Sequence, residues 1–329
     1  MASNAEAVKT ESSEKVIKLK GTASGSRKVI WSIGGGKGGV GKSFISSSLS
    51  ITLAQQGHKV VLVDLDLGGA NVHTCLGHEI PPSTLSDYIS GRCQTLKEIV
   101  TESSIKNLSF ISGANDALNV ANLKGTRKES LMREIRTLDF DYVILDLGAG
   151  TADNTLDFFL MADKAIVGFV PEPTSIENAY RFIKSAFYRK LKNTERALGL
   201  KQIVDEAMDH KNHKGIRTPA DLLRYVSQTD PVAGEEFRKE VQSFKLYFLM
   251  NQVRTRSDVE VGLSIQSVCR RYFGIESDYA GYLDYDNAVW QALRRKRPLL
   301  LEFPYSLLVG QFAKIAKYLV DPIKNRAML

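Results

Sequence analysis

The segment Gly36-Lys37-Gly38-Gly39-Val40-Gly41-Lys42-Ser43 satisfies the pattern G-x-x-x-x-G-K-[S/T], which restricts the chain to α/β architectures built around a phosphate-binding loop. In such a loop the backbone N–H groups wrap nucleotide phosphates, the lysine reaches the terminal phosphate oxygens, and the hydroxyl binds Mg²⁺. Gly36, Gly38, Gly39, Val40 and Gly41 would therefore supply backbone, Lys42 a charge and Ser43 a metal ligand. Glycine is needed where a side chain would block that approach or forbid positive φ. The flanks complete the unit: Lys28–Ile33 reads as a buried strand, and Phe44–Gln56 as a helix closed by Gly57. Strand, loop and helix in that order place phosphate at a positive helix N-terminus.

Downstream, apolar runs of strand length alternate with helical spacing, the signature of a doubly wound, mostly parallel sheet. The runs are Val60–Val63, Leu108–Ile111, Tyr142–Leu145, Ala165–Val170 and Lys245–Met250. Ile176, Tyr180, Ile183, Phe187 and Leu191 recur at helical spacing as a core-facing stripe. Roughly 192–243 is polar and breaks the rhythm, which predicts a helical insertion. Its His210 and His213 have a metal-compatible i, i+3 spacing without companion ligands, so a solvated pair is expected. Residues 1–27 are rich in Ser, Lys, Glu and Ala, without an apolar signal region, and predict a disordered tail. The expected organisation is thus a tail at 1–27, a P-loop α/β domain at 28–322 carrying the 192–243 helical insertion, and a short tail at 323–329.

Carboxylates stand where ligands bind in open α/β sheets, beyond the carboxyl ends of strands. Asp146 follows the run Tyr142–Leu145, in position to hold Mg²⁺ directly or through water. Asp64 and Asp66 follow Val60–Val63.

Lys37, directly after the first glycine of the pattern, narrows the class. The run Lys37–Ser43 resembles the deviant Walker A motif of the MinD/ParA family of P-loop ATPases. The resemblance implies an ATP-sandwich homodimer in which Lys37 reaches the phosphates bound by the partner subunit. Asp64–Asn71 resembles the family's switch I, which implies that Asp66 orients and deprotonates the attacking water and that Asp64 lies near the metal. Leu147–Gly150 resembles switch II. Pro171–Ile176, with Glu172, resembles a segment at the ATP-dimer face. Asn251 stands where the family hydrogen-bonds adenine, and Gly281–Val289 with Arg297-Pro298 resembles the segment over the base, with Asp286 as its aspartate and Asp284 in place of the usual proline. Gly148-Ala149-Gly150, Glu172-Pro173-Thr174-Ser175 and Tyr285-Asp286 look most like FlhG/FleN, regulators of flagellar number and placement. The glutamine-rich activating segment of that subfamily is absent from 1–27.

Other activities are argued down by residues that are missing. No C-x-x-C exists among Cys75, Cys93 and Cys269, which excludes the paired-cysteine iron–sulfur carriers, and one P-loop excludes duplicated anion pumps. Three readings stay open. The first is a spatial-regulator ATPase whose ATP dimer binds an unidentified protein partner or activator, or a surface. The second is a partition ATPase binding nucleic acid through Arg270-Arg271 and Arg294–Arg297. The third is a scaffold using ATP only to join subunits, which intact Lys42, Ser43, Asp66 and Asp146 oppose. Leu308, Phe312, Ile315 and Leu319 form a stripe expected to be the last core helix. The basic tail 323–329 is too short for a stable helix in water and implies weak, ATP-dependent lipid contact. The expected location is cytoplasmic, with a peripheral position at the inner membrane face or a cell pole as the alternative.

Overall fold

The runs at the centre of the chain are buried on both faces, as strands of a parallel sheet covered by helices must be. The computed structural model describes residues 28–113, 125–198 and 219–322. The chain begins with β1 (Val29–Gly34), α1 (Lys42–Gln55), β2 (Val60–Leu65), α2 (Val72–Cys75) and α3 (Leu85–Ser90). A 3-10 turn (Leu96–Ile99), β3 (Thr101–Glu102), β4 (Leu108–Ile111), α4 (Gly125–Thr137) and β5 (Tyr142–Leu147) follow. Next come α5 (Asp153–Leu160), β6 (Lys164–Phe169), α6 (Pro173–Leu198), α7 (Pro219–Thr229), α8 (Pro231–Ser243) and β7 (Leu246–Val253). The last elements are α9 (Arg256–Phe273), β8 (Ser277–Asp284), α10 (Asn287–Arg294), α11 (Leu299–Glu302) and α12 (Leu307–Val320).

The eight strands lie in the order β3-β4-β2-β5-β1-β6-β7-β8. Every neighbouring pair is parallel except β3 with β4. β1 sits between β5 and β6, so the chain leaves it to wind outward on both sides, and the crevice beyond its carboxyl end is where such sheets bind ligands.

Helices cover both faces. On one, Phe182, Ile183, Phe187 and Leu191 of α6 pack with Leu222 and Val226 of α7 and Phe237 and Val241 of α8. α6 passes through Lys192 without a break to Leu198, and the described helices α7 and α8 pack in the main core. On the other face, α1 packs beside α12, which also meets β8 and whose Leu308, Phe312, Ile315 and Leu319 are all buried. Rings of Phe44 and Phe312 meet edge-on at 5.5 Å. Five hydroxyl residues of α1 are buried; the hydroxyls of Ser46, Ser47, Ser50 and Thr52 donate to carbonyls three or four residues back, which satisfies them inside an apolar layer.

The structure differs from expectation at several points. β2 and β5 extend through Asp64 and Asp146, and α1 starts at Lys42. β3 and β8 were not anticipated. Gly281–Asp284, expected in a loop over the base, is the second half of β8. His210, His213 and the segments 1–27 and 323–329 lie outside the described residues.

Candidate phosphate site at the carboxyl end of the sheet

β1 delivers the chain into the glycine loop, and Gly41, with φ 91°, turns it into α1 without a side-chain cap. The first-turn N–H groups of α1 are therefore left for a ligand at the positive end of the helix dipole. At Gly36 a Cβ would lie 2.0 Å from the Asn178 carbonyl oxygen, so only glycine lets the loop press against α6. At Gly38 and Gly39 a Cβ would meet nothing within 4 Å, which leaves that side of the loop open.

Beneath the loop lies a buried charged floor. Lys42 is 8% exposed, and burial lowers its pKa while Asp146 and Asp66 pull it back up. Asp64 and Asp146 stand directly opposite each other in the β2–β5 pairing, and both are fully buried. Asp64 is held by three backbone donors: Asp66 N at 3.1 Å on Oδ1, and Asn71 N at 3.0 Å and Val72 N at 3.1 Å on Oδ2. Neither oxygen of Asp146 has a hydrogen-bond partner. Burial is the main force holding both carboxyls above the ordinary range; the charge of Asp146 adds to it at Asp64, while Ser43, Ser46 and Lys42 oppose it at Asp146. A buried carboxylate with two unmet acceptors, beside the Ser43 hydroxyl, fits a divalent cation. No cluster of three His, Cys, Asp or Glu able to hold a metal occurs among the described residues, so Mg²⁺ would need Ser43 and nucleotide oxygens to complete its shell.

Asp66 is half-buried above this floor, and a Cβ at Gly148 would come within 3.1 Å of its Oδ1. The switch II turn is tied to the phosphate loop by Gly150 N donating to Gly35 O at 3.2 Å.

The rim is different. Lys37 Nζ pairs with Glu172 Oε2 at 3.0 Å and donates to Thr174 Oγ1 at 3.3 Å, both at the start of α6 in the same chain. Asn251 is buried under the loop; its Nδ2 donates to Val40 O at 2.9 Å and its Oδ1 accepts from Gln252 N at 2.9 Å. Its amide thus holds the loop, a function its place at a strand end did not reveal. Asp286 caps α10, accepting from Ala288 N at 2.8 Å and from Ser306 Oγ at 2.7 Å. Lys37, Lys42, Ser43, Asp64, Asp66, Asp146 and Asn251 therefore converge on one loop, whereas Asp286 is spent on a helix cap and its own neighbours. Thr174 and Asn178 are contacts that sequence reasoning did not single out; Thr174 lay inside the motif containing Glu172, but nothing in the sequence marks the backbone of Asn178.

The ParA model, described as the NUBPL iron-transfer P-loop NTPase, matches residues 26–199. The antiactivator FleN of Pseudomonas aeruginosa is 26% identical over 285 residues, covering 86% of this chain and 83% of FleN. The septum site-determining protein MinD of Helicobacter pylori is 27% identical, covering 77% of this chain and 94% of that protein. The fold is similar to that of MinD from Pyrococcus horikoshii, solved with Mg-ADP, with a TM-score of 0.62 at 20% identity and coverage of 91% and 98% of the two chains.

Proposed function

The chain belongs to the ParA/MinD family of P-loop NTPases, and from that premise we propose that it is a Mg²⁺-dependent ATPase acting as a spatial regulator. Its ATP-bound homodimer would hold a protein partner or surface, and hydrolysis would release it. One observation carries the reading. A lysine, two buried acids and a third, half-buried acid meet beneath a loop whose glycines leave the phosphate side open. Phosphoryl transfer asks a protein mainly for positioning and charge stabilisation, and these groups supply both. Lys42 would pair with phosphate oxygens, Asp66 would orient and take the proton of the attacking water, and Asn251 would keep the loop in shape. Ser43 and Asp146 would hold Mg²⁺, which when bound would supply positive charge against the phosphates. Asp66→Ala should still bind ATP but lose hydrolysis by about 100-fold or more, the scale of removing a positioned base. Unchanged turnover in that variant would remove Asp66 from the mechanism.

Similarity to FleN supports a role in flagellar number or placement as the finer reading. Iron transfer lacks support, because Cys75, Cys93 and Cys269 are unpaired and two of them are buried. The nucleic-acid reading is weakened by the basic cluster itself. Arg295 and Arg297 pair with Glu302 at 2.6 and 3.5 Å, and Arg294 lies over the Trp290 ring. No helix among the described residues is long and apolar enough to cross a membrane. Any lipid contact would rest on 323–329 and on the dimer bringing two such segments together.

A further inference from the structure

The two ends of the sheet are finished differently. On one side β3, only Thr101 and Glu102, runs antiparallel along β4 and blunts the edge with a charge. On the other side β8 is eight residues long, and its middle, Tyr279-Ala280-Gly281-Tyr282-Leu283, carries no charge. Among the described residues nothing pairs with its outer edge. An uncharged edge of this length is one that natural sheets cover or use for strand addition.

The surroundings of β8 favour strand addition. α9 and α12 project past it from opposite faces, leaving a cleft of about 350 Å³ walled by Val259 and Leu263 of α9, Tyr279 and Tyr282 of β8, and Ile315 and Tyr318 of α12. Leu263 is 51% exposed, an apolar wall without a protein partner covering it. Among the described residues, side chains satisfy the backbone at the two ends of the strand. Gln266 Nε2 donates to Ser277 O at 2.5 Å, and Gln311 Oε1 accepts from Asp284 N at 3.1 Å. Between these plugs the edge is interrupted by a register shift at Ala280, so an incoming strand of roughly three residues, at about 3.3 Å each, fits along Gly281–Leu283. The Tyr279 hydroxyl beneath the cleft is buried without a partner. Charge then selects the occupant. Asp278 is neutralised by Lys245 at 3.0 Å, whereas Lys314, exposed on α12, has no ion pair among the described residues. We propose that the outer edge of β8 between α9 and α12 is a docking slot for an extended, acidic, alternately apolar segment of a partner protein. The slot is separate from the phosphate site and does not depend on the nucleotide reading.

The test uses the full chain with two blocked heptapeptides, one alternating isoleucine with glutamate and the other isoleucine with lysine. The glutamate peptide should slow amide exchange within 279–283 and bind about tenfold more tightly than the lysine peptide, the scale expected for one complementary charge in a partly desolvated cleft. Lys314→Glu should reverse that order, and Leu263→Asp should weaken both peptides, with ATP turnover unchanged in each variant. The proposal is overturned if neither peptide alters exchange in 279–283, or if Lys314→Glu leaves the order as it was. Protection, before any peptide is added, of the amides in 279–283 that face away from β7 would give the slot to a segment of this chain and also overturn it.

Discussion

The floor and the rim of the phosphate site hold the same kinds of side chain under opposite conditions. On the floor, Lys42, Asp64 and Asp146 are buried on rigid elements, and two acids face each other across adjoining strands. On the rim, Lys37 and Glu172 form an ion pair with side chains 39% and 59% exposed. Burial strengthens every charge interaction on the floor, so its geometry is preset and its like charges destabilise the fold until a ligand arrives. Solvent screens the rim pair, which is worth about 0–1 kcal/mol at most and is therefore easily exchanged. A lysine that must grip phosphate within its own subunit belongs on the floor. One that must change partners belongs on the rim.

Three variants sharpen this contrast, from the largest effect to the smallest. Lys42→Ala removes a charged contact from a dry site and should lower ATP affinity roughly 100-fold, as read by titration calorimetry. A loss below about threefold would show that the floor does not grip the nucleotide as described. Asp146→Asn should raise the melting temperature of the protein in EDTA without nucleotide, by about 1–2 °C for each kcal/mol relieved. The sign follows from linkage. A carboxyl whose folded pKa is raised destabilises the fold once the unfolded group ionises, near pH 4, and increasingly so until the folded group ionises too. The gain from asparagine should therefore be near zero at about pH 4 and largest at about pH 7–8. A variant that melts lower at neutral pH would mean that Asp146 is a structural partner. Glu172→Gln releases Lys37 from its resting contact and should tighten ATP-dependent self-association by roughly two- to fivefold, measured by sedimentation velocity. Weaker association would assign Glu172 to the dimer contact itself.

The floor was legible in the sequence because it is local. A glycine pattern after an apolar run, and aspartates closing two further runs, identify Lys42, Ser43, Asp64 and Asp146 without tertiary information. The contacts of the rim and of the loop's supports were not, although the resemblance named Lys37, Glu172 and Asn251. Lys37 meets Glu172 across 135 residues, and Asn251 reaches Val40 across 211, so no spacing rule connects them. β8 escaped because Asp278, Gly281 and Asp284 interrupt its apolar pattern, as befits an edge strand covered less fully than the central ones. β3 has two residues, too few for any periodicity. Within the polar stretch after Lys192 the core contacts were hidden for a related reason. A few apolar residues at wide spacing, Leu222, Val226, Phe237 and Val241, are enough to seat two helices in the main core.

The division of labour between the two lysines is tested most directly by sedimentation of wild type, Lys37→Ala and Lys42→Ala with a non-hydrolysable ATP analogue. Nucleotide occupancy is measured on the same samples. Wild type should sediment as a dimer with one nucleotide per subunit. Lys37→Ala should remain a monomer with the nucleotide bound, and Lys42→Ala a monomer without it. A Lys37→Ala protein that dimerises like wild type, or that loses nucleotide as Lys42→Ala does, would contradict the cross-subunit role of Lys37.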